Sequence, residues 1–286
     1  MIIHPTRWFV RGESWFEPAS PPAGVDLVVC WQLPAPLPGS VSRAFHTYLI
    51  SLKETPDVIL GGFNRSTRRE IRGARDEDHL QARATCRPSE AALAVFAGLS
   101  AEFSRGKGLP TVDMERLRSM ARAQRLWLSF VATPNGEVLV AHACYVGDQR
   151  LRGMFAPSSL HGVVTPERRR LLSRASRYLN WTDMLAAKEA GLVHLDMGGW
   201  YIGNDPVRLR LNEYKTAFGG QVVTDFNSTY ACTLKGRLAL RPLAFAEAWR
   251  RATKEFRRVS FGAAVAAARM ALRDTFLQPS DTRLTA

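Results

Sequence analysis

The clearest pattern along the chain is a hydrophobic run of strand type from Leu126 to Thr133, a tight turn at Asn135-Gly136, and a second such run from Val138 to Val146. Two β-rich runs joined by Asn-Gly predict a hairpin. Gly147-Asp148 turns the chain again into Arg150 to Ala156, which makes a three-stranded antiparallel meander. Upstream, strands are expected at Trp8-Phe9-Val10, at Trp15-Phe16, from Val25 to Leu33 and from Thr47 to Leu52, with a rigid proline-rich turn at Leu33 to Gly39. A helix starting near Ser51 to Asp57 is expected to run past Arg75, and residues 80 to 86 alternate as a half-buried strand does. Leu93, Phe96, Leu99 and Phe103 recur at helical spacing, so a helix spans Ala91 to Phe103 and ends near Gly106. Asp113 can cap a further helix from Met114 to Gln124.

After the meander, Thr165-Pro166-Glu167 reads as cap, first-turn proline and acidic first turn of a helix reaching Ala190 and stopped by Gly191. Leu192 to Asp196 is a short buried strand, which Gly198-Gly199 breaks as it leaves the sheet. A loop with Tyr201, Gly203, Asn204 and Pro206 leads to a helix from Leu209 to Phe218, a second glycine pair Gly219-Gly220, and a β-branched strand Gln221 to Thr224. Glycines belong at strand exits and helix ends because both need backbone angles that a Cβ disfavours. Beyond Tyr230 the chain is rich in Arg and Ala, with helices expected from Pro242 to Arg258 and from Phe261 to Leu277. Helices and strands in this order predict an α+β protein with one mixed sheet.

Charge changes the picture. The 286 residues carry a formal net charge of +13, which favours anionic partners such as nucleic acid, anionic lipid or phosphorylated small molecules. From Lys235 onward there are eleven Lys/Arg against four Asp/Glu, so more than half of the excess sits in the tail. The sequence shows neither a run of about 18 apolar residues nor a secretory pattern at its start. Cys30, Cys86, Cys144 and Cys232 are widely separated in apolar contexts and read as reduced thiols of a cytoplasmic protein, not as disulfides or a metal site.

Four short motifs in order resemble the GNAT N-acyltransferases and, more narrowly, their FemAB-like branch. They are the basic helix Ser66 to Ala74, the run from Leu179-Asn180-Trp181 through Ala187 to Gly191, the strand exit Leu195 to Gly199, and Glu213-Tyr214-Lys215-Thr216-Ala217-Phe218-Gly219-Gly220. The family writes the last motif as Phe-Lys, two residues, Phe-Gly, and Tyr214 stands for its phenylalanine. The resemblance covers roughly residues 45 to 232 and implies a GNAT-like mixed sheet flanked by helices, with an N-terminal strand extension and a C-terminal helical tail. The corresponding division is 1–60 as a β-rich extension or remnant lobe, 61–234 as the acyltransferase domain and 235–286 as a basic helical tail. The chain is short for two complete acyltransferase lobes, and it lacks the long helical hairpin of some members that use aminoacyl-tRNA.

Acyl transfer needs a polarised donor carbonyl, an amine that loses a proton and a leaving group that gains one. No nucleophile elbow and no Cys-His pair stands near the central stretch, which favours direct attack. Lys215, among apolar neighbours before a glycine pair, can stabilise an oxyanion or hold a phosphate; the plain alternative is a solvated lysine. Asp196 can orient an amine or simply cap the following loop. Tyr214 and Tyr201 can donate a proton or pack. Arg168, Arg169 and Arg170 oppose the dipole of the helix they begin, which makes sense where an anion binds, and the resemblance to the GNAT fold implies the pyrophosphate of coenzyme A as that anion. A solvated basic face is the equal alternative, and the same holds for Arg68 and Arg72, with phosphate on an acceptor as the functional option. His142 and His194 read as core histidines.

The leading expectation is a cytoplasmic N-acyltransferase that moves an acyl group from acyl-CoA, a co-substrate and not a bound cofactor, to an amine of a small-molecule or lipid-linked acceptor, without metal. An aminoacyltransferase that uses charged tRNA on a cell-wall precursor is the second expectation. A non-catalytic basic protein docking on RNA or on the inner face of a membrane is the third.

Overall fold

The computed structural model describes residues 1–5, 8–159 and 165–241. One ten-stranded mixed sheet organises them: β1 (Ile2–Pro5), β2 (Val10–Trp15), β3 (Leu27–Leu33), β4 (Val41–Ser51), β5 (Gln81–Thr85), β6 (Leu126–Ala132), β7 (Val138–Val146), β8 (Arg150–Phe155), β9 (His194–Gly199) and β10 (Gln221–Ala231). Their order across the sheet is β1-β2-β3-β10-β4-β9-β8-β7-β6-β5. The N-terminal strands therefore share the sheet with the central motif, because β10 lies between β3 and β4.

Six helices cover the two faces: α1 (Pro56–Gly61), α2 (Arg65–Asp76), α3 (Glu90–Lys107), α4 (Met114–Arg122), α5 (Pro166–Glu189) and α6 (Pro206–Thr216). Residues 234–241 are helical as well. On one face, Ile59 of α1, Ile71 of α2, and Trp181 and Met184 of α5 bury against Tyr48, Ile50, Trp127 and Leu195. On the other, Leu93, Phe96 and Leu99 of α3 and Leu117 and Met120 of α4 bury against Leu126, Leu128, Ala141 and Ala143. Neighbouring strand positions send side chains to opposite faces, so β6 gives Trp127 to one core and Leu126 and Leu128 to the other. Among the described residues no helix is long and apolar enough to cross a membrane.

The meander and the helix after it form as the turn and cap signals require. Gly136 takes φ +85° in the hairpin turn, and the Thr165 side chain accepts from Arg168 N at the start of α5. Other boundaries move for local reasons. The helix expected through Arg75 is two helices, because Gly61-Gly62 ends the first and Asn64 caps the second, its Oδ1 accepting from Thr67 N at 2.7 Å. The strands expected around Trp8 and Trp15 are one strand, β2, and Phe16 turns out of it at φ +70°. The third helix ends at Gly108, not at Gly106, since Gly108 takes the left-handed cap conformation. The sixth begins three residues early because Asp205 caps it and Pro206 occupies its first turn. Gly198-Gly199 closes β9 from within the strand. The strand expected over 221–224 extends to Ala231, held by β3 and β4 on its two sides. The expected tail helices from Pro242 onward lie outside the described residues.

Gly219 is a close-packing point. It has φ +68°, and a Cβ built on it would stand 2.5 Å from the Gly62 carbonyl oxygen. Gly219→Ala is therefore expected to destabilise the protein by about 1–3 kcal/mol, from left-handed strain together with overpacking. Urea unfolding should show a lower midpoint at an unchanged slope. A midpoint equal to that of the wild type would mean the glycine is not needed there.

Candidate active site

The parallel strands β8 and β9 pair only at Arg150–His194, Leu151–Leu195 and Arg152–Asp196. Beyond that point they separate, β8 staying with β7 and β9 with β4. A cleft of about 220 Å³ opens where they part. Its walls include Met154, Phe155 and Met197 from the diverging strands, His142 and Cys144 from β7, Ser176, Asn180 and Asp183 from α5, and Leu211, Tyr214 and Lys215 from α6. Sequence explains why α6 reaches this place. Its cap Asp205 and first-turn Pro206 start the helix beyond the glycine-rich strand exit, and Ala217 and Phe218 bury in the core below.

Lys215 is half-buried, and its Nζ donates to the carbonyl of Gly198 at 3.0 Å and to that of Gly199. Gly198 has φ +80°, which turns the strand end and brings its carbonyl to the lysine. Burial, then the charge of Arg152, lowers the Lys215 pKa to about 8, with Asp196 opposing. Tyr214 accepts a hydrogen bond from Asn180 Nδ2 at 2.9 Å and lies 2.8 Å from Ser176 Oγ. Burial raises its pKa, so at neutral pH it is a phenol and a donor. Its ring meets Phe218 edge-on at 5.4 Å.

Asp196 is fully buried. Its Oδ1 accepts from Thr47 Oγ1 and from Gly198 N at 2.7 Å, and its Oδ2 from Gln32 Nε2 at 2.8 Å, with Arg150 at 3.5 Å. The carboxylate caps the strand exit and reaches Lys215 through its field, its own acceptor sites being taken up inside the protein.

The other candidate residues stand apart from the cleft lining. Arg168 pairs with Glu137 and donates to Ser159 Oγ at 2.7 Å, Arg169 is exposed, and Arg170 borders a separate pocket of about 270 Å³ with Arg69, Glu70 and Arg174. Arg168 lies eight residues before Ser176, ~12 Å along the helix axis. Arg68 donates to the Gly61 carbonyl at 3.1 Å and Arg72 is exposed, both on α2. Tyr201 sits on the loop before α6, where Arg208 lies over its ring at 5.2 Å and Asp205 N donates to its hydroxyl at 3.4 Å.

Sequence reasoning missed one pair. His142 is not only a core histidine: its Nδ1 lies 2.8 Å from Asp183 Oδ2, and both residues line the cleft. Asp183, buried in α5, also accepts from Trp127 Nε1 at 2.9 Å and Ser129 Oγ at 3.0 Å. A carboxylate that accepts from its neighbours fixes the proton of a neutral His142 on Nδ1 and leaves Nε2 as the basic nitrogen. The available signal was Asp183 itself, a carboxylate within the buried stripe Leu172, Ala175, Leu179 and Ala187 of α5. Among the described residues no group of three His, Cys, Asp or Glu side chains could hold a metal ion.

No family model matches the sequence, and no curated protein matches it. Solved structures do resemble it. FemX superposes with a TM-score of 0.54 at 14% identity, over 64% of this chain and 61% of its own. L-PGS from Bacillus licheniformis gives 0.47 at 12% identity over 72% of this chain and 68% of its own. The C-terminal domain of a protein from Agrobacterium fabrum, assigned as a lysylphosphatidylglycerol synthetase, gives 0.46 at 13% identity over 77% and 72%. This chain matches less than two thirds of the length of FemX. The fold, a mixed sheet flanked by helices, is GNAT-like and is shared with FemX.

Proposed function

We propose that the protein is an acyltransferase that moves an acyl group from acyl-CoA to an amine of a small-molecule or lipid-linked acceptor by direct attack. The observation that carries this reading is a lysine with a pKa near 8 and a carboxylate-held histidine lining one apolar cleft at the divergence of β8 and β9. A cleft of about 220 Å³ suits the reacting acyl group and amine, not a whole nucleotide.

In this reading the Lys215 ammonium faces the carbonyl oxygen and stabilises the negative charge that develops there. The amine nitrogen bonds to the carbonyl carbon and gives its proton to His142 Nε2, with Asp183 as the positioning residue. The carbon–sulfur bond then breaks, its electron pair leaves on sulfur, and His142 returns the proton to the thiolate. Tyr214 donates a hydrogen bond to the departing sulfur. Arg168, Arg169 and Arg170 at the start of α5, and Arg68 and Arg72 on α2, are the cations proposed for phosphates of the donor and the acceptor. The protein would act in the cytoplasm, at the inner membrane face where the acceptor is lipid-linked.

The donor decides between readings. Acyl-CoA thioesters from acetyl to long-chain are expected to raise the melting temperature by about 5 °C when present at about 100 times Kd. No shift with any thioester, together with binding of charged tRNA, would transfer the reading to aminoacyl transfer. RNA or anionic-vesicle binding that weakens with salt, without either donor being consumed, would instead support the non-catalytic alternative.

A further inference from the structure

On the sheet face that carries α4, opposite α5 and α6, lies a second opening of about 180 Å³. Trp15, Trp31, Phe45, Arg116, Arg152 and Asn227 border it. Met154 and Phe155 line both this groove and the cleft, so only the free end of β8 separates the two.

Arg152 has donors to spare. Its Nε donates to Gln32 Oε1 at 2.8 Å and its Nη1 to the Gly153 carbonyl, both neutral oxygens, and it makes no ion pair among the described residues. A guanidinium presents five N–H donors in a planar fork, so the Nη2 pair is unused. The Arg152 guanidinium carbon lies 5.8 Å from the Trp15 ring centre and 5.6 Å from that of Phe45, within cation–π range. Burial works first against the Arg152 charge, the field of Asp196 favours it, and Arg116 and Arg150 oppose it. Those two already have carboxylates, Arg116 with Glu13 and Arg150 with Asp225 at 2.7 Å.

Two further features mark the groove. The indole nitrogens of Trp15 and Trp31 are buried without a hydrogen-bond partner. Such orphan donors are uncommon in folded proteins. Gln32, which links Arg152 to Asp196, holds the left-handed conformation at φ +54° despite its Cβ. Backbone strain of this kind collects at functional sites.

We propose that this groove binds an anionic group of the second substrate, a carboxylate or a phosphate on a planar or apolar body, with Arg152 as the anion receptor and Trp15, Trp31 and Phe45 as the walls. The assignment of that group to the second substrate rests on the transfer reading; the anion site itself does not.

Calorimetric titration of the full chain with benzoate, phenyl phosphate and neutral benzyl alcohol tests it. One of the two anions should bind at least about tenfold more tightly than the alcohol, and which one it is separates carboxylate from phosphate. Arg152→Gln should weaken that anion at least about tenfold, and Trp31→Phe, which keeps a ring and deletes the indole N–H, by a few-fold. Anions that bind no better than the alcohol, or binding unchanged in both variants, would overturn the proposal. If Arg152→Gln does not fold, Trp31→Phe decides alone. The titration needs no turnover, so anion binding without acyl transfer would remove the transfer reading and leave this site standing. Transfer without anion binding would do the reverse.

Discussion

Lys215→Ala is expected to lower kcat by about 10²–10³-fold, the usual loss when one electrostatic donor to a developing oxyanion is removed. Because the interaction strengthens in the transition state, kcat and kcat/KM should fall together, with donor affinity close to that of the wild type. The pH profile provides the sign. Burial and Arg152 bring the lysine to about 8, so the ammonium is present below that value and is lost as the pH rises through it. A cationic role therefore predicts activity that declines above pH 8 in the wild type, and a decline moved to higher pH in Lys215→Arg, whose guanidinium stays charged. Activity that instead rises through pH 8 would assign the neutral amine, a base and not an oxyanion partner. A variant with near wild-type turnover would leave Lys215 only its structural hydrogen bonds to the carbonyls of Gly198 and Gly199.

Lys215, Tyr214 and Asp196 were legible as candidates because they lie on one stretch, and local signals place that stretch: a glycine-turned strand exit, a capped helix and a second glycine pair. The meander and α5 were legible for the same reason, since turns and caps are written within a few residues. What sequence did not reveal depends on long-range pairing. The strand after Gly220 owes its length to Val29, Thr47 and their neighbours, almost two hundred residues away in the chain, and no local period reports that. Gln32 is buried beside Asp196 and Asp225 only because β3, β4, β9 and β10 come together. His142 read as core because its strand is apolar on both sides. Only the crossing of α5 over β6 and β7 gives it Asp183 as a partner.

His142→Ala is expected to reduce kcat by about 10²–10⁴-fold, the range for removing a positioned general base. The loss alone would not separate chemistry from packing, because His142 is buried and bonded to Asp183. Added imidazole separates them. The variant leaves a space next to the cleft, and a free imidazole there, held by the same carboxylate, can take the amine proton. Turnover should then rise saturably with imidazole, while His142→Phe, which fills the space, should not respond. Asp183→Asn tests the positioning residue: an amide cannot accept from Trp127, Ser129 and His142 as the carboxylate does, so the ring loses its fixed tautomer. Its ring-nitrogen NMR signals should change even where the fold survives, and imidazole should not restore its rate. Turnover of His142→Ala within threefold of wild type, in a folded protein, would remove the histidine from the chemistry and leave proton transfer to solvent or to the substrate itself.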